Sequence, residues 1–206
     1  VVTEAQIKAY GLEKCFQQQA VSESVFARIK GKSYKAHCPL PLTDLRYVKV
    51  LHCNAEGKPQ LGELLCHKNI ATDLVDIFKN LYKAHYRIEC MILIDAYGAD
   101  DERSMSANNT TCFNFRYVAG TQRLSNHSKG CAIDINPLYN PYVRHSKNGV
   151  LHVSPAAARP YADRSKKFAY KIDTTDLCYR EFIRHGFVWG GAWKRSKDYQ
   201  HFEKKI

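Results

Sequence analysis

The spacing of apolar residues along the chain predicts two helices and several short strands. Apolar side chains recur every three or four positions between residues 70 and 86, which is typical of one buried face of a helix. A second such pattern covers about Thr175 to His185 and stops at Gly186, where glycine tolerates the left-handed conformation of a helix cap. Apolar runs of strand length cover residues 47–53, 61–66, 88–94, 131–135, 187–190 and 199–202. Short strands mixed with two helices predict an α+β fold with a small central antiparallel sheet flanked by helices.

Polar segments between these patterns predict the loops. Residues 54–59 would join two strands in a hairpin, and residues 97–111, rich in Asp, Ser and Asn, are expected to form a loop. The range 137–164 holds four of the seven prolines, which predicts a long irregular excursion of the kind usually retained for function. Residues 1–41 are expected to form a leading arm of short helices, one of them starting near Ser22, without obvious chemistry. The length of 206 residues favours a single domain, residues 1–206.

The charge of the chain bears on its partners. A formal net charge of +11 and a pI near 9.3 favour anionic partners such as nucleic acid, anionic lipid surfaces or acidic cell-wall polymers. The basic residues are spread along the chain without a nucleic-acid motif, so we expect no nucleic-acid partner. No apolar run approaches the roughly 20 residues that cross a bilayer, so no membrane span is expected. The chain begins at Val1 without a signal segment, and we expect any secretory leader to have been removed or not included.

The cysteines leave two interpretations open. There are eight and none has the C-x-x-C spacing of a zinc ribbon, while several lie in apolar runs where a free thiol behaves as a small buried hydrophobe. Free thiols are therefore favoured over a full disulfide framework. A rival structural zinc site would use His52, Cys53, Cys66 and His67 of the predicted hairpin, but adjacent strand residues point to opposite faces, so all four converge only with a bulge. A Cys53–Cys66 disulfide is the better alternative if the protein is exported.

Two short segments carry candidate metal ligands. His127 precedes a predicted strand that contains Asp134, and an ionised carboxylate among apolar neighbours is expensive to bury unless it is paired or binds a metal. Near the end of the chain, Asp198 and His201 add a carboxylate and a second imidazole three residues apart. Two nitrogen ligands and one oxygen ligand leave a fourth tetrahedral position for water, which is the pattern of a catalytic zinc site.

Taken together, the two segments resemble the M15 peptidases, which include D-alanyl-D-alanine carboxypeptidases and dipeptidases and the L-alanyl-D-glutamate endopeptidases of phage endolysins. The family signature S-x-H-x-x-G-x-A-x-D is met over residues 125–134, and the closing D/E-x-x-H is met by Asp198 and His201. The resemblance runs from about Ile88 to the end of the chain, so residues 88–206 would carry the catalytic motifs. It includes the Phe115-Arg116 pair and the glycine- and tryptophan-containing range 186–191. The chain is most similar to the endopeptidase branch of the family, because it has Asp rather than Glu at position 198.

The resemblance implies a fold and a metal. The fold would be that of the DD-peptidases and the related Hedgehog signalling domains. A Zn²⁺ ion would be held by His127, Asp134 and His201.

The resemblance also implies roles for residues around the metal. Asp198 would be the general base, with a role as proton shuttle or with a pKa raised by its apolar setting. The aromatic residues expected to supply that setting are Tyr199, Phe202 and Trp193. Arg116 would face the oxyanion that develops on the scissile carbonyl, although an ordinary salt-bridged arginine is the alternative. Ser125 would bind substrate or only cap the local backbone, and Glu203 would orient a ligand or only be an exposed carboxylate. Gly130 would allow close packing beside the loop of residues 125–130 that carries His127, called the metal loop below.

These features predict a zinc peptidase that cuts the peptide stems of bacterial peptidoglycan at a bond next to a D-amino acid. Its basic surface suits the anionic polymers of a cell wall, and we expect export to the periplasm, the cell envelope or the extracellular space. The alternative is a non-enzymatic binding module that keeps zinc for structure, against which the presence of Asp198 and Arg116 argues. The bond that is cut would depend on loops such as 97–111 and 137–164.

Overall fold

The computed structural model describes residues 1–118 and 120–206, and its strands form small antiparallel sheets mixed with helices. The α+β class is as predicted. The single central sheet is not what forms, because the strands of the described residues divide among three sheets of three strands each.

The leading arm contains regular structure that joins the rest of the protein. It holds helix α1 (Glu4–Tyr10), strand β1 (Gln17–Ala20) and helix α2 (Glu23–Ile29). The hydroxyl of Ser22 accepts a hydrogen bond from Val25 N at 3.3 Å, so α2 begins where the sequence predicted a helix start. Strand β1 pairs with the next strand of the chain, which makes the arm part of the first sheet.

The first sheet is the predicted hairpin with β1 added. Strands β2 (Leu45–Cys53) and β3 (Pro59–His67) pair antiparallel, in the order β1-β2-β3, and helix α3 (Lys68–Lys83) follows directly. The stripe that predicted α3 is buried, since Ile70, Leu74 and Ile77 are all 0% exposed. The apolar stripe thus packs α3 into the main core.

The register of this hairpin excludes both alternatives proposed for its cysteines. Cys53 pairs with Pro59 near the turn, whereas Cys66 pairs with Arg46 at the far end, seven residues further along β3. At about 3.3 Å per residue the two thiols are roughly 23 Å apart along the strands. A Cys53–Cys66 disulfide and a shared zinc site with His52 and His67 are therefore wrong, and all eight cysteines are free.

The apolar run 88–94 is extended but does not become a strand of a sheet. It makes isolated bridges, such as Cys90 with Asn109, and then enters a 3-10 turn over Ile94–Tyr97. The buried Asn109 side chain accepts from Ile92 N at 2.9 Å and donates to Ile92 O at 3.0 Å. Side-chain amide groups thus replace a partner strand, and apolar periodicity alone does not reveal that.

The other two sheets carry the second half of the chain. One contains β4 (Ala132–Asp134), β9 (His201–Glu203) and β7 (Val188–Trp189), in that order. The other contains β6 (Leu151–Ser154), β5 (Tyr142–His145) and β8 (Lys197–Asp198), in that order.

The prediction of an irregular excursion over 137–164 was therefore wrong in part. A hairpin of β5 and β6 lies within it, and Asn148-Gly149 marks its turn, with Gly149 at φ 77°.

Two helices complete the description. Helix α4 (Asp101–Ser106) lies in the predicted loop 97–111, because Asp100 caps it by accepting from Arg103 N at 2.9 Å. Helix α5 (Leu177–Arg184) is the second predicted helix, and Gly186 after it has φ 80°. Among the residues described, no helix has both the length and the apolar character needed to cross a membrane.

Candidate active site

The pairing of β4 with β9 brings the predicted ligands together. Asp134 and His201 are directly opposite in this pair, and His127 lies in a 3-10 turn over Asn126–Lys129 just before β4. His127 Nε2 is 3.3 Å from Asp134 Oδ2, His201 Nδ1 is 3.1 Å from Asp134 Oδ1, and the two nitrogens are 3.2 Å apart. All three residues are buried, and their ligand atoms lie within 4.8 Å of one another.

The far nitrogens of both imidazoles face hydrogen-bond acceptors. His127 Nδ1 is 2.6 Å from the carbonyl of Cys112, and His201 Nε2 is 2.9 Å from Glu203 Oε2. A carbonyl or an ionised carboxylate can only accept, so the proton of each neutral ring lies on that far nitrogen. The two near nitrogens then point their lone pairs at each other and at Asp134, an arrangement that requires a cation or an additional proton between them.

The spacing of these atoms fits a tetrahedral metal ion. Zinc ligands bind at about 2.0–2.1 Å, which places two tetrahedral ligand atoms roughly 3.3 Å apart. The three separations among His127 Nε2, His201 Nδ1 and the Asp134 oxygens are 3.1 to 3.3 Å. Each imidazole faces a different oxygen of Asp134, and the buried His–Asp–His cluster could therefore hold a metal ion.

Asp134 and His201 shift each other's pKa. Burial alone would raise the pKa of Asp134, but the two imidazoles outweigh it and hold that pKa well below its usual range. Burial would lower the pKa of His201, but hydrogen bonds to Asp134 and Glu203 raise it to about 10. The metal-free cluster thus retains a proton that a bound cation would displace.

Glu203 is the outer partner of His201. Its Oε2 accepts from His201 Nε2 and, at 2.7 Å, from Asn126 Nδ2, and the contact with His201 lowers the pKa of Glu203 to about 2. Of the two roles considered for Glu203, this geometry fits the orientation of a ligand. The sequence carried no signal for the corresponding partner of His127, because any residue type at position 112 supplies a carbonyl.

Asp198 lies beside the cluster on β8. Its Oδ1 is buried and has no hydrogen-bond partner, and burial raises the pKa of Asp198 to about 7. Gly190 allows this approach, because a Cβ at Gly190 would be 2.9 Å from Asp198 Cβ and 3.2 Å from His201 Cβ. A carboxylate with one free buried oxygen and a pKa near neutrality suits proton transfer.

Of the three aromatic residues expected around Asp198, one packs against a ligand of the cluster and the other two pack elsewhere. The Trp193 ring is 5.3 Å from that of His201, at the site. Phe202 instead stacks on Phe182 at 4.4 Å in the core, because successive strand residues point to opposite faces. Tyr199 packs against Arg164, whose guanidinium carbon is 4.3 Å from the ring centroid.

Arg116 is paired with an acidic residue and joined to the metal loop. Its guanidinium forms an ion pair with Asp101 of α4. Its main-chain N donates to Ser128 Oγ at 2.8 Å, and its carbonyl accepts from Ser125 N at 3.1 Å. Arg116 is thus a neighbour of the loop that carries His127, and its side chain is salt-bridged.

Ser125 and Gly130 shape the metal loop itself. The Ser125 hydroxyl accepts from His127 N at 3.3 Å, which caps the turn that carries the ligand. Gly130 has φ 66°, and a Cβ there would be 2.6 Å from His67 N. The close packing predicted at Gly130 is present, against the end of β3.

Residues 119–204 match a protein-family model described as D-alanyl-D-alanine carboxypeptidase, of the M15 peptidases. The matched range includes the cluster residues and Asp198, and it begins after the leading arm and Arg116. No similar curated protein and no similar solved structure was found. Over residues 119–204 the chain is therefore similar to the M15 peptidases, as its two motifs predicted.

Proposed function

We propose that the protein is a zinc-dependent peptidase that cuts the peptide stems of bacterial peptidoglycan at a bond next to a D-amino acid. One observation carries the proposal: a buried cluster of His127, Asp134 and His201 lies beside a buried carboxylate oxygen of Asp198 that has no partner. A cluster kept only for structure would not need that carboxylate, whose burial without a hydrogen bond is unfavourable. We include in the proposal the fold of the DD-peptidases and Hedgehog domains.

Zinc is the metal that the donor set favours. Two imidazole nitrogens and one carboxylate oxygen at tetrahedral spacing are typical of catalytic zinc. When bound, the ion supplies a Lewis acid that polarises a carbonyl and lowers the pKa of a bound water towards 7. Glu203 and the Cys112 carbonyl fix the ring orientations of the two histidines.

The residues of the chain would divide the remaining work. Asp198 would take a proton from the attacking water and return it to the leaving amine, which a carboxylate with a pKa of about 7 can do near neutral pH. Arg116 would stabilise the oxyanion from its place beside the metal loop, and such a stabiliser is commonly worth about 10²–10³ in rate. Ser125 would hold the loop and could also contact the substrate.

Unpaired basic residues near Asp198 support an anionic substrate. Strand β5 pairs with β8 so that Tyr142 is opposite Asp198. Among the residues described, no carboxylate lies within ion-pair distance of the basic side chains of the β5–β6 hairpin and of the segment leading into β8. These side chains are Arg144, Lys147, Lys194, Arg195 and Lys197. They would attract the carboxylates of peptide stems and the anionic polymers of the wall.

Export to the periplasm or cell envelope is part of the proposal, because the substrate is there. The eight free cysteines are unusual for an exported protein, since free thiols are typical of reducing compartments. Six of the eight are buried, which hinders their pairing in an oxidising one.

Incubation of the zinc-loaded protein with muropeptides of defined stem composition, followed by mass spectrometry of the products, tests the proposal. We expect a single cleavage next to a D-amino acid, and the product masses separate L-Ala-D-Glu from D-Ala-D-Ala cleavage. Asp198→Asn is the matched control, expected to bind zinc without hydrolysis. Intact muropeptides in the presence of one equivalent of bound zinc would instead support the non-enzymatic binding module.

A further inference from the structure

The leading arm contacts the segment that immediately precedes Arg116. From these contacts we propose that Ser33 and Lys35 of the arm are positioning residues for Arg116. The proposal rests on the function proposed above, in which Arg116 stabilises the oxyanion. It gives a role to residues that lie outside the matched range 119–204.

The arm is fixed at Ser33. This residue is 0% exposed, its N donates to Asp95 Oδ1 at 3.0 Å, and its hydroxyl donates to Asp95 Oδ2 at 2.9 Å. Hydrogen bonds to a carboxylate are stronger than neutral ones, and burial strengthens them further. Ser33 is therefore a fixed point from which the arm can hold a neighbouring segment.

The arm holds Phe115 by its main chain and its ring. Phe115 N donates to the Ser33 carbonyl at 3.0 Å, and Lys35 Nζ donates to the Phe115 carbonyl at 3.2 Å. Lys35 Nζ also lies 6.0 Å from the Phe115 ring centroid, and the His37 ring packs edge-on against it at 5.0 Å. Both polar main-chain groups of Phe115 are thus bound by the arm.

The metal loop holds the next residue in the same way. Arg116 N donates to Ser128 Oγ at 2.8 Å, and the Arg116 carbonyl accepts from Ser125 N at 3.1 Å. With the main-chain groups of Phe115 and Arg116 all bonded, the point from which the guanidinium extends is fixed relative to His127. A displacement of about 1 Å at a catalytic group can cost on the order of 10² in rate, so this fixation matters for an oxyanion stabiliser.

Lys35 is the residue whose removal tests the proposal with least disturbance. It is half-buried, and its ammonium group binds a main-chain carbonyl rather than a carboxylate. Lys35→Met keeps most of the apolar stem and removes the ammonium group, which both donates to the Phe115 carbonyl and lies over the Phe115 ring. Lys30→Met is the matched control, because Lys30 belongs to the same arm but lies over Phe26, 5.9 Å from its ring.

The experiment measures kcat, KM and zinc content for these variants on the muropeptide that the wild-type protein cleaves. For Lys35→Met we expect a kcat lower by about 10- to 10²-fold with unchanged KM and zinc content. Lys35→Arg, which keeps a donor, should restore most of kcat, and Lys30→Met should match the wild type. Amide exchange at Arg116, measured in the same variants, should be faster in Lys35→Met alone.

A double-mutant cycle with Arg116→Gln decides whether Lys35 acts through Arg116. If it does, Lys35→Met has little further effect in the Arg116→Gln background, because the group that it positions is gone. Equal fold losses in both backgrounds, or an unchanged kcat in Lys35→Met, overturn the positioning role while leaving the proposed peptidase in place. A wild-type protein that binds zinc and cleaves no muropeptide overturns both.

Discussion

Replacement of Asp198 by Asn should abolish hydrolysis and at the same time stabilise the metal-free protein at alkaline pH. The Asp198 carboxylate is buried at Oδ1 without a hydrogen bond, and burial raises its pKa to about 7 from an ordinary value of 3.8. Between these two pKa values the unfolded chain loses a proton that the folded protein keeps, so the stability of the wild type falls as pH rises from about 4 to 7. Asn carries no charge and avoids this loss.

The magnitude follows from the pKa shift. Each pKa unit corresponds to about 1.4 kcal/mol, so a shift of about three units gives roughly 4 kcal/mol. The side chain is partly exposed, and solvent screening reduces the figure, so we expect Asp198→Asn to be more stable by about 2–4 kcal/mol at pH 8. Below about pH 4 the carboxyl is protonated in both states, and the difference should vanish. The rate of hydrolysis should fall at least about 10²-fold, which is the usual contribution of a general base.

Urea unfolding of the chelator-treated proteins at several pH values between 4 and 8 measures this difference. Asp163→Asn is the matched control, because Asp163 is exposed and a hydrogen bond from Ser165 lowers the pKa of its carboxyl. That variant should gain no stability at pH 8. If Asp198→Asn is no more stable than the wild type at pH 8, the argument from charge burial is refuted. If the variant still hydrolyses the substrate, the role of Asp198 as general base is refuted.

Three further predictions concern the metal loop and its partners. Glu203→Gln should weaken zinc binding by about 10- to 10²-fold in chelator competition, because the ring of His201 loses its charged acceptor. An unchanged affinity would show that Glu203 does not contribute to zinc binding. Zinc affinity should fall as pH decreases below about 10, by up to tenfold per unit, because protonated His201 must lose a proton before it can bind the metal. Calorimetry that detects no proton release on zinc binding at pH 7 would contradict this. Gly130→Ala should destabilise the protein by about 1–3 kcal/mol in thermal unfolding, because its Cβ would meet His67 N at 2.6 Å and φ is 66°; an unchanged midpoint would show that the loop can shift.

The sequence by itself determined the elements whose signals are local. The three- and four-residue apolar spacing of α3 and the cap at Gly186 depend on neighbours along the chain, and both helices formed where the pattern placed them. The metal motifs were equally local, since the ligand types and their spacing are carried by short segments. Asp134 was recognisable because a carboxylate among apolar residues is unfavourable without a cation.

Only the tertiary structure decided what depends on contacts between distant segments. Residues 88–94 have the composition of a strand, but the Asn109 side chain takes the place of a partner strand, and no pattern within the run encodes that. Register likewise separated Cys53 from Cys66, because it depends on where the hairpin turns. The outer partners of the ligands were invisible for a related reason: a main-chain carbonyl such as that of Cys112 is present at every residue, and only the fold selects the one that faces His127.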